Sequence, residues 1–294
     1  MPLTASTVSH NYNFAYDHIV VVESLPSEDK PTGRELYSKV IAPLARRSGL
    51  GAKFISAATH HELLDVLHGV ASTCESERHS PIVHLEMHGT RDGLRTADGG
   101  LVTWSDLKVP LTRINVASKL NLGVSVAACS GEYLLKCVVP TDRAPVCWLL
   151  GCGVPVWDSV LERGFQHFYE VFLTDGDLIA AWRGLNEIGK PEQQVFGLWP
   201  AKYFFRRTFA AYCEQMLSPP VLTLRVNELH AALVARGAVL LRDGPAVRER
   251  LRSALLNRGY WLEKYKSLFF MLDLYPANAE RFDMTLEDVL ATDL

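Results

Sequence analysis

Two side chains in this sequence are of the kind that makes and breaks acyl bonds, and each closes a short apolar run. Pro81-Ile82-Val83-His84-Leu85-Glu86-Met87 ends on His88-Gly89. Leu122-Gly123-Val124-Ser125-Val126-Ala127-Ala128 ends on Cys129-Ser130-Gly131. An imidazole delivered beside a thiol is the smallest set that supports cysteine nucleophilic catalysis. A free thiol ionises at about pH 8.5 and only the thiolate attacks well, so a neighbouring imidazole raises the reactive fraction. Gly89 and Gly131 lack a Cβ and let backbone N–H groups approach a substrate carbonyl. The amides of Gly89 and Cys129 are therefore the expected oxyanion donors.

The elements around them must bring the two together. Both runs are short, rich in β-branched or small residues and bounded by turn residues, so both read as buried strands. The stretch from Trp104 to about Leu120 has helical character, with Ser105 as its expected N-cap. Strand, helix, strand implies a parallel pair, and open parallel sheets place their sites beyond the carboxyl ends of the strands. His88 and Cys129 both fall there. Asp92-Gly93-Leu94 and Asp98-Gly99-Gly100-Leu101-Val102-Thr103 read as a small hairpin between them. His84, Glu86 and His88 share one side of their strand. An HxExH set of that kind is a metal-site alternative, although inward polar residues satisfied by neighbours are the plainer reading. No other metal-ligand set is visible, and no cofactor is expected.

Upstream, His18 to Glu23 reads as the first core strand, Gly33 to Arg47 as a helix, Ala52 to Ala58 as a strand and His60 to Val70 as a helix. This alternation predicts an α/β sandwich with a mainly parallel sheet. Residues 1–16 read as a loose polar arm. From about Pro191 the pattern becomes long and helical, with breaks at Pro219-Pro220 and Asp243-Gly244-Pro245. The expected division is an arm over 1–16, a catalytic domain over 17–200 and a helical extension over 201–294. The extension's aromatics, Phe204, Phe205, Trp261, Phe269 and Phe270, are expected to face the catalytic domain.

His88-Gly89 after one strand and Ala127-Ala128-Cys129-Ser130-Gly131 after the next resemble the catalytic signature of caspase-like (clan CD) cysteine peptidases. Cys129 follows His88 by 41 residues, near the spacing of about 50 typical of caspases. Pro145 to Asp158 resembles the next core strand and its loop. Phe165 to Leu173 and Asp177 to Trp182 resemble the paired helices of the bacterial CHAT-type branch. The resemblance covers roughly residues 15–200. It implies a three-layer caspase-like sandwich and a cysteine endopeptidase that cuts a specific protein partner, in the setting of bacterial antiviral or programmed-death systems. It also implies pocket positions for the side chain preceding the cut bond, for which Glu23 and Asp158 are the candidates, though either is also placed to cap a helix. The residue two before the nucleophile is Ala127, neither the Asp of metacaspases nor the Gln of animal caspases, so neither preference carries over. The competing function is a catalytically silent caspase-fold scaffold that uses its helical extension for docking.

Composition excludes several other classes. Of 294 residues, 48% are hydrophobic and 21% charged, ordinary for a globular chain, and a net charge of −3 gives no bulk attraction for nucleic acid. The six cysteines show no CxxC pair or finger spacing, which argues for reduced thiols in a cytoplasm. No apolar run reaches membrane-spanning length and the first 13 residues lack a basic-then-apolar leader, so the expectation is a cytoplasmic protein off the membrane. Its partners are expected to be a protein substrate and a regulatory protein docked on the C-terminal helices.

Overall fold

A computed structural model describes residues 7–8, 14–188, 195–238 and 243–291. The chain falls into two compact units. One comprises Met1–Val138 and Ala144–Ala201, the other Val139–Arg143 and Lys202–Leu294.

The first unit is an α/β sandwich. Its strands are β1 Thr7–Val8, β2 Ala15–Tyr16, β3 His18–Ser24, β4 Gly51–Ser56, β5 Pro81–Gly89, β6 Gly93–Arg95, β7 Leu101–Thr103, β8 Gly123–Ala127, β9 Trp148–Cys152 and β10 Phe196–Pro200. The main sheet runs β10-β9-β8-β5-β3-β4, parallel except for β10, which is antiparallel to β9. Strands β6 and β7 form the expected hairpin off the end of β5, with Gly99 at φ +84° in its turn. The sheet was legible because β3, β5, β8 and β9 are buried on both faces, and such strands read as continuous apolar runs.

Helices α1 Thr32–Leu36 and α2 Ala42–Arg47 are joined by a π-helical turn, Tyr37–Ile41. Pro43 explains the widening. It has no N–H to donate and its ring collides with the carbonyl four residues back, and the Ala42 amide reaches to the Tyr37 carbonyl instead. Helix α3, His60–Glu77, packs with α4, Trp104–Ala117, while α5, Asp158–Asp175, packs with α6, Leu178–Ile188, and with the α1–α2 stretch. These two groups are the outer layers. The N-cap of α4 is Thr103, two residues before the expected Ser105. The Thr103 hydroxyl accepts from the Asp106 amide at 3.2 Å and the Asp106 carboxylate accepts from the Thr103 amide at 2.9 Å. That reciprocal box satisfies two orphan helix-end donors, which Ser105 alone cannot do.

Helix α5 carries the aromatic stripe Phe165, Phe168, Tyr169 and Phe172 at helical spacing, all fully buried. Phe14 and Tyr16 stack on Phe172 at ring-centroid distances of 6.3 and 5.0 Å. The polar reading of residues 1–16 therefore fails at its end, where Phe14 and Tyr16 belong to the core and β2 pairs with β1. Residues 1–6 and 9–13 of that arm lie outside the described residues, as does the expected change of character at Pro191.

The second unit is helical, with α7 Ala201–Met216 leading into it, followed by α8 Pro219–Ala235, α9 Gly244–Leu256, α10 Arg258–Phe269, α11 Asn278–Arg281 and α12 Leu286–Leu290. It has a core of its own. Phe205 packs on Phe209, Phe269 and Phe270 at 5.1–5.7 Å, and Phe270 stacks on Phe282 at 4.6 Å. Trp261 packs against the cluster of Leu222, Val226 and Leu255. Phe205, Phe269 and Phe270 thus pack on one another within this unit. Among the described residues no helix is long and apolar enough to cross a membrane.

Candidate active site

Strand order reverses at β3. The chain steps from β3 outward to β4 and returns on the other side with β5, so the crevice beyond the carboxyl ends of β3 and β5 is the topological switch point where open α/β sheets bind ligands. A cleft of about 110 Å³ opens there. Asp29, Lys30 and Thr32 line it from the segment after β3, Glu86 and His88 from β5, and Ala127 and Cys129 from the end of β8.

The register explains why His88 and Cys129 arrive together. β5 and β8 pair in parallel with His84 opposite Ser125 and Glu86 opposite Ala127. His88 and Cys129 each lie two residues beyond the last pair of that ladder. Gly89 packs so closely on the turn at Cys129 that any Cβ there would overlap the carbonyl oxygen of Cys129. After β8 the chain turns through Ser130, a buried non-glycine residue at φ 60°. A left-handed residue at this point costs about 1–2 kcal/mol and presents Cys129 at the end of the strand. Gly131 is required next, because a Cβ would lie 2.8 Å from Val126 Cγ1. The segment that follows, Gly131–Cys137, is a 3₁₀ helix. Beneath the turn the buried Cys152 thiol donates to the Ala128 carbonyl at 3.1 Å; burial first, then the neighbouring Cys129, push it up to about 11, so it stays protonated and holds the turn.

The two reactive groups have different partners. His88 is half exposed and its Nε2 lies 2.7 Å from Asp29 Oδ2. Cys129 Sγ makes a long contact, 3.9 Å, to the carbonyl of Val156 in the loop before α5. With Nε2 engaged by Asp29, Nδ1 is the imidazole nitrogen outside that contact. Asp29 escaped sequence reasoning because it sits in the polar loop Ser27-Glu28-Asp29-Lys30, which has no periodicity.

The HxExH set does not converge. His84 is fully buried, its Nδ1 2.9 Å from Ser125 Oγ and its Nε2 2.9 Å from Glu86 Oε2. Ser125 Oγ lies 2.7 Å from the Tyr169 hydroxyl, and Glu86 Oε1 accepts from Thr32 Oγ1 at 2.7 Å. One proton arrangement satisfies every member: Tyr169 donates to Ser125, Ser125 to His84 Nδ1, and His84 Nε2–H to Glu86. Burial raises the Tyr169 hydroxyl, which keeps it a donor. The chain fixes the Glu86 carboxylate, which lines the cleft, while His88 meets Asp29.

Of the two pocket candidates, Asp158 lines the cleft as the first residue of α5. Glu23 is only 5% exposed and is not among the cleft-lining residues. Its carboxylate accepts from the Arg34 amide at 3.0 Å, capping the first turn of α1, where Gly33 fits over both Glu23 and Glu86. Glu162 also lines the cleft, paired with Lys30 at 2.5 Å. With Lys30 held by Glu162 and His88 by Asp29, the carboxylates of Asp158 and Glu86 leave the cleft with negative character. No protein-family model matches the chain, and no curated protein matches it.

Proposed function

We propose that the chain is a cysteine endopeptidase of the caspase-like type that cuts a protein partner after a positively charged side chain. One observation carries the reading: His88, its Nε2 on Asp29, shares a switch-point cleft with Cys129 at the ends of adjacent parallel strands. In this reading Cys129 Sγ attacks the scissile carbonyl carbon. His88 takes the thiol proton and gives it to the leaving amine. The amides of Gly89 and Cys129 hold the oxyanion. Water, deprotonated by the same imidazole, then hydrolyses the thioester and releases Cys129. Asp29 holds the ring so that Nδ1 faces the thiol throughout.

The acidic cleft supports the substrate class. Asp158 and Glu86 both line it, and Glu86 stands opposite the small Ala127 in the ladder, where larger residues stand in caspase relatives. A guanidinium or ammonium group matches two carboxylates better than any neutral side chain. The helical second unit has the role of recruiting the protein partner, and the cytoplasm of a bacterial antiviral or programmed-death system is the setting that the resemblance implies.

The test is a peptide library in which each residue type precedes the candidate bond. Cleavage after Arg or Lys, lost in both Cys129→Ala and His88→Ala, is the expected result. Cleavage that persists in Cys129→Ala, or that follows acidic residues, would overturn the reading.

A further inference from the structure

The opposite end of the same sheet carries a second constellation. Asp17, His18 and His79 each offer a ligand atom, and the three atoms lie within 4.8 Å of one another. His18 Nδ1 is 3.0 Å from Asp17 Oδ1, and His79 Nδ1 is 3.2 Å from Asp17 Oδ2. The imidazole centroids are 3.6 Å apart. Bonds of about 2.0–2.2 Å to a tetrahedral ion separate its ligand atoms by roughly 3.3–3.6 Å, so side-chain shifts of up to about 1–1.5 Å would seat an ion among these donors. We propose that Asp17, His18 and His79 form a site for a divalent transition metal, with Zn²⁺ the natural probe of its two-imidazole, one-carboxylate donor set.

The set is built in advance. The Asp17 amide donates to the Ser80 carbonyl at 3.0 Å and its own carbonyl accepts from the Gly51 amide at 2.9 Å, so its backbone is tied on both sides. The Ser80 amide fixes Asp17 Oδ1 at 2.9 Å. Gly51, the register partner of His18, has no Cβ, and the His18 ring lies across the space one would fill. The far nitrogen of His79 meets Glu77 Oε2 at 2.9 Å, the carboxylate–histidine arrangement that orients metal-bound imidazoles and raises their basicity. Three protein ligands leave a coordination position for water or a small ligand. His18 and His79 also line a cavity of about 380 Å³ walled by Val20, Ile55, Val66 and Val70, which gives such a ligand a route in.

The competing account is that Asp17 merely accepts one proton from each ring. Metal binding would displace those protons, so a titration separates the two accounts. The site lies about 20 Å from the cleft, the length of β3, and does not rest on the peptidase reading. The full chain, stripped with a chelator and dialysed, is titrated with Zn²⁺ and separately with Co²⁺. One equivalent per chain is expected, with the strong visible bands of tetrahedral Co²⁺ bleached by added Zn²⁺. Binding should be unchanged in Cys129→Ala, lost in His18→Ala and His79→Ala, and about 10- to 100-fold weaker in Glu77→Gln. Glu77 is exposed, so that variant tests the site without endangering the fold. Absence of stoichiometric binding by the wild-type chain would overturn the proposal, as would affinity unchanged in Glu77→Gln and His79→Ala.

Discussion

Asp29 and His88 stand 59 residues apart in the sequence and meet at 2.7 Å between Oδ2 and Nε2. The contact engages Nε2 of the imidazole, and it joins the loop after β3 to the end of β5. In the proposed reading Asp29 joins His88 and Cys129 as a third member of the site.

Asp29→Asn should therefore lower kcat for a short peptide on the order of 10- to 100-fold with KM nearly unchanged, less than loss of the acid–base group itself. Asp29→Glu should recover part of the loss. Both side chains of the pair are more than a third exposed, so the melting temperature should barely move. A parallel fall in melting temperature and activity would assign Asp29 a structural role instead.

Asp158→Asn tests the acidic cleft. Charge-assisted hydrogen bonds are worth roughly 1.5–3 kcal/mol, so kcat/KM for an Arg peptide should drop about 10- to 100-fold while a neutral analogue changes little. Equal losses on both peptides would show that Asp158 supports α5 and does not read charge.

Ser125→Ala would leave the His84 Nδ1 and Tyr169 hydroxyl without their shared partner in a buried setting. Urea unfolding should register a loss on the order of 1–3 kcal/mol. An unchanged midpoint would mean that the buried chain from Tyr169 to Glu86 contributes no net stability.

Much of this was legible in the sequence, for physical reasons that also mark where legibility stops. Strands β3, β5, β8 and β9 are apolar runs, and His88 and Cys129 end two of them, so periodicity and topology alone brought both to one edge. Strand β10, Phe196–Pro200, gave no such signal, because it holds Gly197 and Pro200 and is mostly half-buried as the edge strand. The π turn came from one missing N–H at Pro43. Asp29 and the Asp17–His79 contact depend on loops whose course is fixed by tertiary packing, and Glu86 was visible as a residue on the strand but its place in the cleft was not. Glu23 was placed equally well for a pocket or a cap, and only the position of α1 decides for the cap.

That cap has a pH signature. Burial pushes the Glu23 carboxyl above its ordinary value; the Arg34 amide pulls it down and the charge of Glu86 adds to the rise. The folded chain thus holds this proton to higher pH than the unfolded chain does. The stabilising contribution is full below the ordinary carboxylate range, declines as pH rises through the raised folded value, and is absent above it. Glu23→Gln should flatten the wild-type decline in melting temperature over that window. Identical slopes would place the shift elsewhere.

The most direct test of the central claim is labelling with an irreversible, thiol-directed peptide probe that carries Arg next to its reactive group. The account predicts one adduct per chain, located at Cys129 by mass spectrometry, and loss of labelling in His88→Ala while Cys74, Cys147, Cys152 and Cys213 stay unmodified inside the fold. Labelling spread over several cysteines, or undiminished in His88→Ala, would contradict it.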